Sequence, residues 1–305
     1  MKRIDAKGLF PEVRDLVRRA LAEDLGKKGD VTTLLFVPKG ARVSGRIIIK
    51  APGVLCGTAA AAEAFRQADR SVRVRVLKRD GLRVRPGQAV MSVSGGRGIL
   101  TAERTALNIL QHLSGVATAT AEYAARVKGT RARIFDTRKT LPGLRRLDKY
   151  AVLCGGGRNH RMGLHDAILL KDNHWACGKV SRPSAGPCGD IASGACGSGL
   201  LAAAAKARRR YPRMVLEIEA ADLAQVRLAL AARPDIILLD NMGRPMLKKA
   251  IRLIRTTRPS TQVEISGGVS LATVAGLAKL GPDRISVGRI THSAPALDMS
   301  LELDP

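Results

Sequence analysis

Along the chain, apolar residues first recur with a helical period. Val13, Leu16, Val17, Ala20, Leu21 and Leu25 share one face, which predicts an amphipathic helix over 10–25, ended by Gly26. The texture then changes to alternation. The stretches RVSGRIIIKAPGVLCG, RVRVLKRDG and QAVMSVSGG are β-rich and punctuated by Gly and Pro, the pattern of a half-exposed sheet. A helix at about 57–68 interrupts them, and a long helical pattern runs from Ile99 to Val127 with a break near Ser114-Gly115. Residues 1–115 therefore predict an α+β domain.

Beyond residue 130 short apolar runs alternate with helical stretches. Strands are expected at 132–136, 167–171, 214–219, 235–240, 262–266 and 284–287, with helices between them such as 222–232 and 244–256. Continuous apolar runs of this length suit a parallel sheet buried on both faces. Six or seven βα units in about 170 residues suggest a barrel slightly smaller than the eight-stranded norm, with a doubly wound open sheet as the alternative. Polar residues recur where the strands end, at Asp136, Lys171, Glu219, Asp240, Ser266 and Gly288. That favours the barrel, whose active sites gather at the carboxyl ends of the strands. Residues 175–199, rich in Gly, Ser, Pro and Cys, break the pattern and read as an inserted loop, flexible and functionally neutral.

Composition changes this picture in two ways. Aromatic residues are only 3% of the 305, so the core must be aliphatic. Lys and Arg number 52 against 26 Asp and Glu, a net charge of +26. Such a balance fits a polyanionic partner, an anionic small substrate, or a generally basic proteome. The cations are dispersed, no block of five or six like charges forms an arm, and RNA-recognition aromatics are absent, which counts against nucleic acid. Five cysteines, an odd number, argue for a reducing compartment, and Cys177, Cys188 and Cys196 are too loosely spaced for a typical zinc site. With no signal or transit pattern at the start and no long apolar run, a cytoplasmic protein without a membrane span is expected.

The densest chemistry lies in residues 136–174, DTRKTLPGLRRLDKYAVLCGGGRNHRMGLHDAILLKDNH. Arg138 and Lys139 follow one strand, His160-Arg161 lie in a Gly-rich loop, and Lys171 ends the next strand. Any single Arg in so basic a chain is ordinary surface, but successive loops on one rim gather these into a polyanion pocket. Arg offers a planar fork for carboxylate or phosphate, and Lys a compact point charge. GGGRNH serves equally well as a helix cap or as a nest of N–H groups around an anion. Glu219 and Asp240 end neighbouring strands and suit Mg²⁺, directly or through water, or ribose hydroxyls. The loops ISGGVS (265–270) and ISVGRITHS (285–293) put glycine after late strands, where barrels cradle phosphate on backbone amides. By spacing alone Arg104, in AERTALNILQHLSGVAT, has no assigned role.

With these motifs in order, the sequence resembles the quinolinate phosphoribosyltransferase family. ALAEDLGKKGDVTT, ERTALNILQHLSGVAT, DTRKTLPGLR, CGGGRNHRMGLHDAILLKDNH, LEIEA, LLDNM, ISGGVS and ISVGRITHSAPALDMSL carry the resemblance over nearly the whole chain. It implies an N-terminal α/β sandwich domain (1–115, with 290–305 returning to it) and an incomplete, seven-stranded α/β barrel (116–289). It implies transfer of phosphoribose from phosphoribosyl pyrophosphate to quinolinate with decarboxylation. By motif, Arg138, His160, Arg161 and Lys171 resemble the quinolinate clamp, Thr137 a further substrate-binding residue, and Lys139 a phosphate contact. Glu219 and Asp240 resemble the ribose and Mg²⁺ side, while Ser266-Gly267-Gly268 and Val287-Gly288-Arg289 resemble the 5′-phosphate loops. The family also implies a homodimer or a higher assembly up to a hexamer, with Arg104 inserted by the neighbouring subunit. Residues 175–199 depart from the family pattern. The rival readings are a paralogue with another acceptor and a basic nucleic-acid-binding protein on the same fold.

Overall fold

The computed structural model describes residues 7–177 and 198–304. Its strands, in chain order, are β1 (Val43–Ile49), β2 (Gly53–Val54), β3 (Arg73–Val76), β4 (Arg83–Val84), β5 (Ala89–Gly95), β6 (Arg133–Phe135), β7 (Ile168–Leu170), β8 (Leu216–Ala220), β9 (Ile236–Asp240), β10 (Gln262–Ser266), β11 (Arg284–Ser286) and β12 (Met299–Leu303). The described residues fall into two compact units. One is drawn from the described residues of 125–138 and 160–287, the other from those of 7–124, 139–159 and 288–304.

The second of these units is built on an antiparallel sheet of order β12-β1-β5-β3, in which the C-terminal strand pairs with β1. Ile47 and Ile49 of β1 are fully buried, as the alternation in RIII requires. The helix Phe10–Leu25 buries Val13, Val17 and Leu21, carries Pro11 in its first turn where no N–H is missed, and ends at Gly26, whose φ of +51° favours glycine. A short helix, Val31–Phe36, was not expected. Asp30 caps it by accepting the N–H of Thr33 at 2.9 Å, and it leaves Leu34, Leu35 and Phe36 largely exposed. Too short to show a period, it is invisible to pattern reading.

The long helix Gly98–Arg126 runs unbroken through Ser114-Gly115, contrary to the expected break. Both residues are there for packing. Ser114 Oγ accepts the N–H of Cys56 and donates to its carbonyl, and a Cβ on Gly115 would sit 2.2 Å from the Pro295 carbonyl oxygen. Tertiary contact overrides the weak helix propensity of glycine.

The other unit holds an all-parallel sheet of order β6-β11-β10-β9-β8-β7. The strands follow one another around the sheet with no reversal of order, which excludes a doubly wound sheet, where the order turns back at a switch point. The sheet is a barrel left open at one seam: its edges, β6 and β7, are consecutive in the chain, and only their pairing would close it. Among the described residues it has six strands rather than seven. The helices Leu223–Ala231 and Arg244–Thr257 supply βα crossovers.

Both faces of this sheet are largely buried, as expected, but they differ in chemistry. Ile218, Ile237, Leu239, Val263, Ile265 and Ile285 form one apolar face. On the other, residues two apart along each strand place Glu217, Glu219, Asp240, Glu264, Ser266, Arg284 and Ser286 together; the register pairs Glu219 with Leu238, Leu238 with Glu264, and Glu264 with Arg284. Among the described residues no helix is long and apolar enough to cross a membrane.

The close approach at Gly115 gives a stability test. Gly115→Val should destabilise the protein by about 1–3 kcal/mol, the usual cost of forcing extra atoms into a packed contact, although valine is no worse than glycine as a helix former. Denaturant midpoints measure it; an unchanged midpoint would mean that the 295–296 segment yields freely.

Candidate active site

The polar face is built in two levels. Glu217, Glu264 and Arg284 lie one pleat below Glu219, Ser266 and Ser286, the polar residues nearest the carboxyl ends of β8, β10 and β11. Glu217 and Glu264 are 1% and 0% exposed, so their charges must be met inside the protein. Glu264 takes Arg284 Nε on one oxygen and Ser286 Oγ on the other. The Arg284 guanidinium also lies 3.9 Å from the centre of the Phe135 ring, a cation–π contact. Burial disfavours a charged Glu264, but Arg284, His160 and Ser286 outweigh it and hold the carboxyl at about 2. Glu217 goes the other way, raised by burial and by the charge of Glu264.

His160 sits on these two acids. Its Nε2 lies 3.1 Å from Glu217 and 3.4 Å from Glu264, while its backbone N–H donates to Asp136 at 2.8 Å. Burial works against its charge, yet the hydrogen bonds to the glutamates prevail and favour a proton on the ring. That pull acts at Nε2. At Nδ1 the main-chain N–H of Arg161 donates across 2.8 Å, and a main-chain N–H cannot reverse its role. In this geometry Nδ1 therefore carries no proton, and the ring is the neutral Nε2–H tautomer. His160, Glu217 and Glu264 bring possible metal-ligating atoms within 4.8 Å of one another. Since the glutamate oxygens already receive His160, Arg284 and Ser286, the cluster reads as a closed hydrogen-bond network rather than a metal centre.

Arg161 and Arg138 present the opposite situation. Arg161 donates once, to the carbonyl of Ala167 at 3.0 Å, and burial together with the adjacent Arg138 charge lowers its pKa. Arg138 has a buried Nε with no hydrogen-bond partner. Two neighbouring guanidiniums with donors to spare form a site for an anion. At the carboxyl ends, Lys171 Nζ donates to Glu219 at 2.9 Å, and the Asp172 N–H also points at Glu219. Asp240 accepts from Asn241 Nδ2, and the Asn241 N–H binds the Ser266 carbonyl. Gly267 has φ +92°, and a Cβ there would meet the Asn241 side chain at 2.1 Å, so only glycine fits. Val287 is buried and its N–H goes to the Phe135 carbonyl.

In the other unit, the Lys139 carbonyl accepts Thr291 Oγ1 from the short helix Arg289–His292, which follows Gly288. Arg289 is exposed. The glycines of GGGRNH act as a helix end: the N–H groups of Gly155, Gly156 and Gly157 are spent on carbonyls of the helix Arg145–Cys154. The cap reading of that motif therefore prevails over the nest. Arg104, on the long helix, has a side chain 63% exposed with only a 4.0 Å contact to Glu103. Of residues 175–199, the stretch 178–197 lies outside the described residues.

Glu217, Glu264, Arg284 and Ser286 were missed by sequence reasoning, which looked for chemistry only at strand ends. Their signal is present in LEIEA and QVEIS: an acid at every second position of an otherwise apolar strand.

Comparison with known proteins fits this geometry. The family profile described as "Quinolinate phosphoribosyl transferase, C-terminal domain" matches residues 116–184 and 190–302, and that described as "Quinolinate phosphoribosyl transferase, N-terminal domain" matches residues 30–114. The nicotinate-nucleotide pyrophosphorylase [carboxylating] of Mycobacterium leprae (strain TN) is 42% identical over 297 residues, covering 96% of this chain and 98% of that protein. The solved nicotinate-nucleotide pyrophosphorylase of Francisella tularensis superposes with a TM-score of 0.84 at 36% identity, covering 96% of each chain. That of Ehrlichia chaffeensis superposes with a TM-score of 0.83 at 33% identity, covering 99% of this chain and all of that one.

Glu264 gives a pH-dependent test. Its carboxyl is depressed in the folded state, so the stability it contributes is present above its ordinary value of 4.5 and is lost as pH falls towards about 2. Glu264→Gln should cost about 3–5 kcal/mol at neutral pH, because it breaks a buried pair with Arg284. The gap between variant and parent should narrow as pH drops through that window. A pH-independent gap in unfolding experiments would remove Glu264 as an ionised partner.

Proposed function

We infer the chemistry from kinship: the chain belongs to the quinolinate phosphoribosyl transferase family. It transfers the phosphoribosyl group of phosphoribosyl pyrophosphate to quinolinate with loss of carbon dioxide, giving nicotinate mononucleotide and pyrophosphate in NAD biosynthesis. Within that reaction, the acceptor site is proposed to be Arg138 and Arg161 with Lys171 and Thr137. The observation that carries this assignment is the pair of arginines side by side, one with an orphaned buried Nε. An anion between them would relieve their mutual repulsion and meet the spare donors, and quinolinate brings two adjacent carboxylates.

Clamped by its carboxylates, quinolinate aims its ring nitrogen at the anomeric carbon of the donor. The nitrogen–carbon bond forms as the bond to the pyrophosphate oxygen breaks, and the ring becomes a pyridinium. The electron pair of the bond to the 2-carboxylate then passes into the cationic ring, carbon dioxide departs, and C2 takes up a proton. Here the protein acts by orientation and charge, with no covalent nucleophile.

On the donor side, Lys139 and Arg289 are proposed phosphate contacts. Ser266-Gly267-Gly268 and Val287-Gly288 are proposed as backbone that lets the 5′-phosphate come close. Glu219 and Asp240 offer carboxylate oxygens on one face at adjacent strand ends, a donor set that fits Mg²⁺, directly or through water. When bound there, the ion supplies charge to balance the departing pyrophosphate. A homodimer or higher assembly is proposed, with Arg104 given to the neighbour's site. Its exposure supports this, as does the uncovered apolar surface of Leu34, Leu35 and Phe36.

The direct test is release of carbon dioxide from quinolinate in the presence of phosphoribosyl pyrophosphate and Mg²⁺, with nicotinate as the control acceptor. Arg138→Ala and Arg161→Ala should each raise the quinolinate KM about tenfold to a hundredfold, since a hydrogen bond to a charged group contributes about 1.5–3 kcal/mol. The KM for the donor should move little. If both variants bound quinolinate normally, the clamp would lie elsewhere. For the dimer, mixing inactive Arg104→Ala with inactive Lys171→Ala chains should restore part of the activity. No restoration after verified subunit exchange would place Arg104 outside the neighbour's site.

A further inference from the structure

We propose that His160 is a positioning residue which does not touch quinolinate: locked from below by Glu217 and Glu264, it fixes the main chain of Arg161 and thereby aims that guanidinium at the acceptor. This rests on the reading of Arg138 and Arg161 as the acceptor clamp. It assigns a role to four residues that the reaction itself leaves unused, Glu217, Glu264, Arg284 and Ser286.

The argument is one of occupancy at the ring. Imidazole has two polar atoms, and both are engaged within the protein. Nε2 faces two carboxylates at 3.1 and 3.4 Å, and Nδ1 receives the Arg161 N–H at 2.8 Å. A carboxylate of quinolinate wants a donor, and the ring has no N–H left to give one. The residue is 6% exposed, and its backbone N–H is tied to the buried Asp136. His160 is thus held at three points: Asp136 after β6, Glu217 on β8 and Glu264 on β10.

What this frame delivers is the placement of the next residue. Arg161 is fixed at its amide by His160 Nδ1 and at its guanidinium by the Ala167 carbonyl, leaving the remaining donors to face the site. Its aim depends on the His160 ring staying upright, and the ring depends on the two acids. Glu264 is itself held in place by Arg284 and Ser286, with Phe135 stacked on the far side of the guanidinium. The network is therefore a chain of supports running from the middle of β10 and β11 to the acceptor clamp, the kind of second layer on which geometric precision depends.

A double-mutant cycle on the full-length enzyme separates positioning from contact. His160→Asn should weaken quinolinate affinity about tenfold or more, with the change confined to quinolinate binding and the donor's affinity preserved. In the Arg161→Ala background the same substitution should have less than about a twofold effect, because its target is already gone. Glu217→Gln, which keeps the shape of the side chain, should rescue most of the affinity lost in Glu217→Ala. If the losses from His160→Asn and Arg161→Ala simply added, His160 would be a direct ligand and the proposal would fail. A parallel measurement needs no variant. Nitrogen-15 NMR of the wild-type ring should show Nδ1 unprotonated and Nε2 protonated, unchanged when quinolinate saturates the enzyme; a change of tautomer or a new hydrogen-bond shift on binding would overturn it. Should Arg161→Ala alone leave quinolinate affinity intact, the clamp assignment fails instead, and the NMR result still decides the role of His160.

Discussion

Glu264, buried in the middle of a parallel sheet between Arg284 and His160, is the interaction on which the barrel unit depends. A lone carboxylate there would be expelled or neutralised, because desolvation of an ion in a protein interior costs several kcal/mol. It stays ionised only because a guanidinium, a hydroxyl and an imidazole surround it. Each of those partners is fixed in turn: Arg284 by Phe135, His160 by Asp136 and Glu217. A sheet that would otherwise close around aliphatic side chains is organised around charge instead.

The two levels of the polar face solve different problems. In the lower level the acids are already taken up by partners within the protein, so the network rigidifies without attracting a ligand. In the upper level the balance is left incomplete. Lys171 has Glu219, but Arg161 lies close enough to feel the charge of Arg138, whose buried Nε has no hydrogen-bond partner. In the proposed function, that deficit is what the anionic acceptor fills. A network closed below leaves the cations with donors to spare above, at the end of the strands where the loops lie.

Much of this was legible in the sequence, and the limits have physical causes. Strand ends could be read because a polar residue after an apolar run marks a rim, which is how Arg138, Lys171, Glu219 and Asp240 were singled out. The antiparallel and parallel sheets followed from alternation on the one hand and short apolar runs on the other. Glu217 and Glu264 escaped because a buried acid inside a strand violates the usual rule that charge means surface. The unbroken helix through Gly115 escaped for a similar reason: glycine signals a break by its own propensity, while its use here is to admit the carbonyl of Pro295. GGGRNH shows the reverse case, where a ligand-like motif serves to end a helix and its amides are spent there.

His160 illustrates why motif position and chemical role are separate questions. The resemblance groups it with Arg161 because the two are adjacent in a shared motif, and adjacency in sequence is all that such a grouping records. In the fold the two side chains serve different levels of the same face. The imidazole completes the closed network below, and the guanidinium belongs to the proposed cationic site above. The single link between them is a main-chain N–H on a ring nitrogen, which transmits position and not charge. A histidine suits that joint because its two nitrogens can play opposite parts, donor to the buried acids and acceptor from the chain. A cationic side chain in the same place would offer only donors, and it would compete with Arg161 for the anion instead of aiming it.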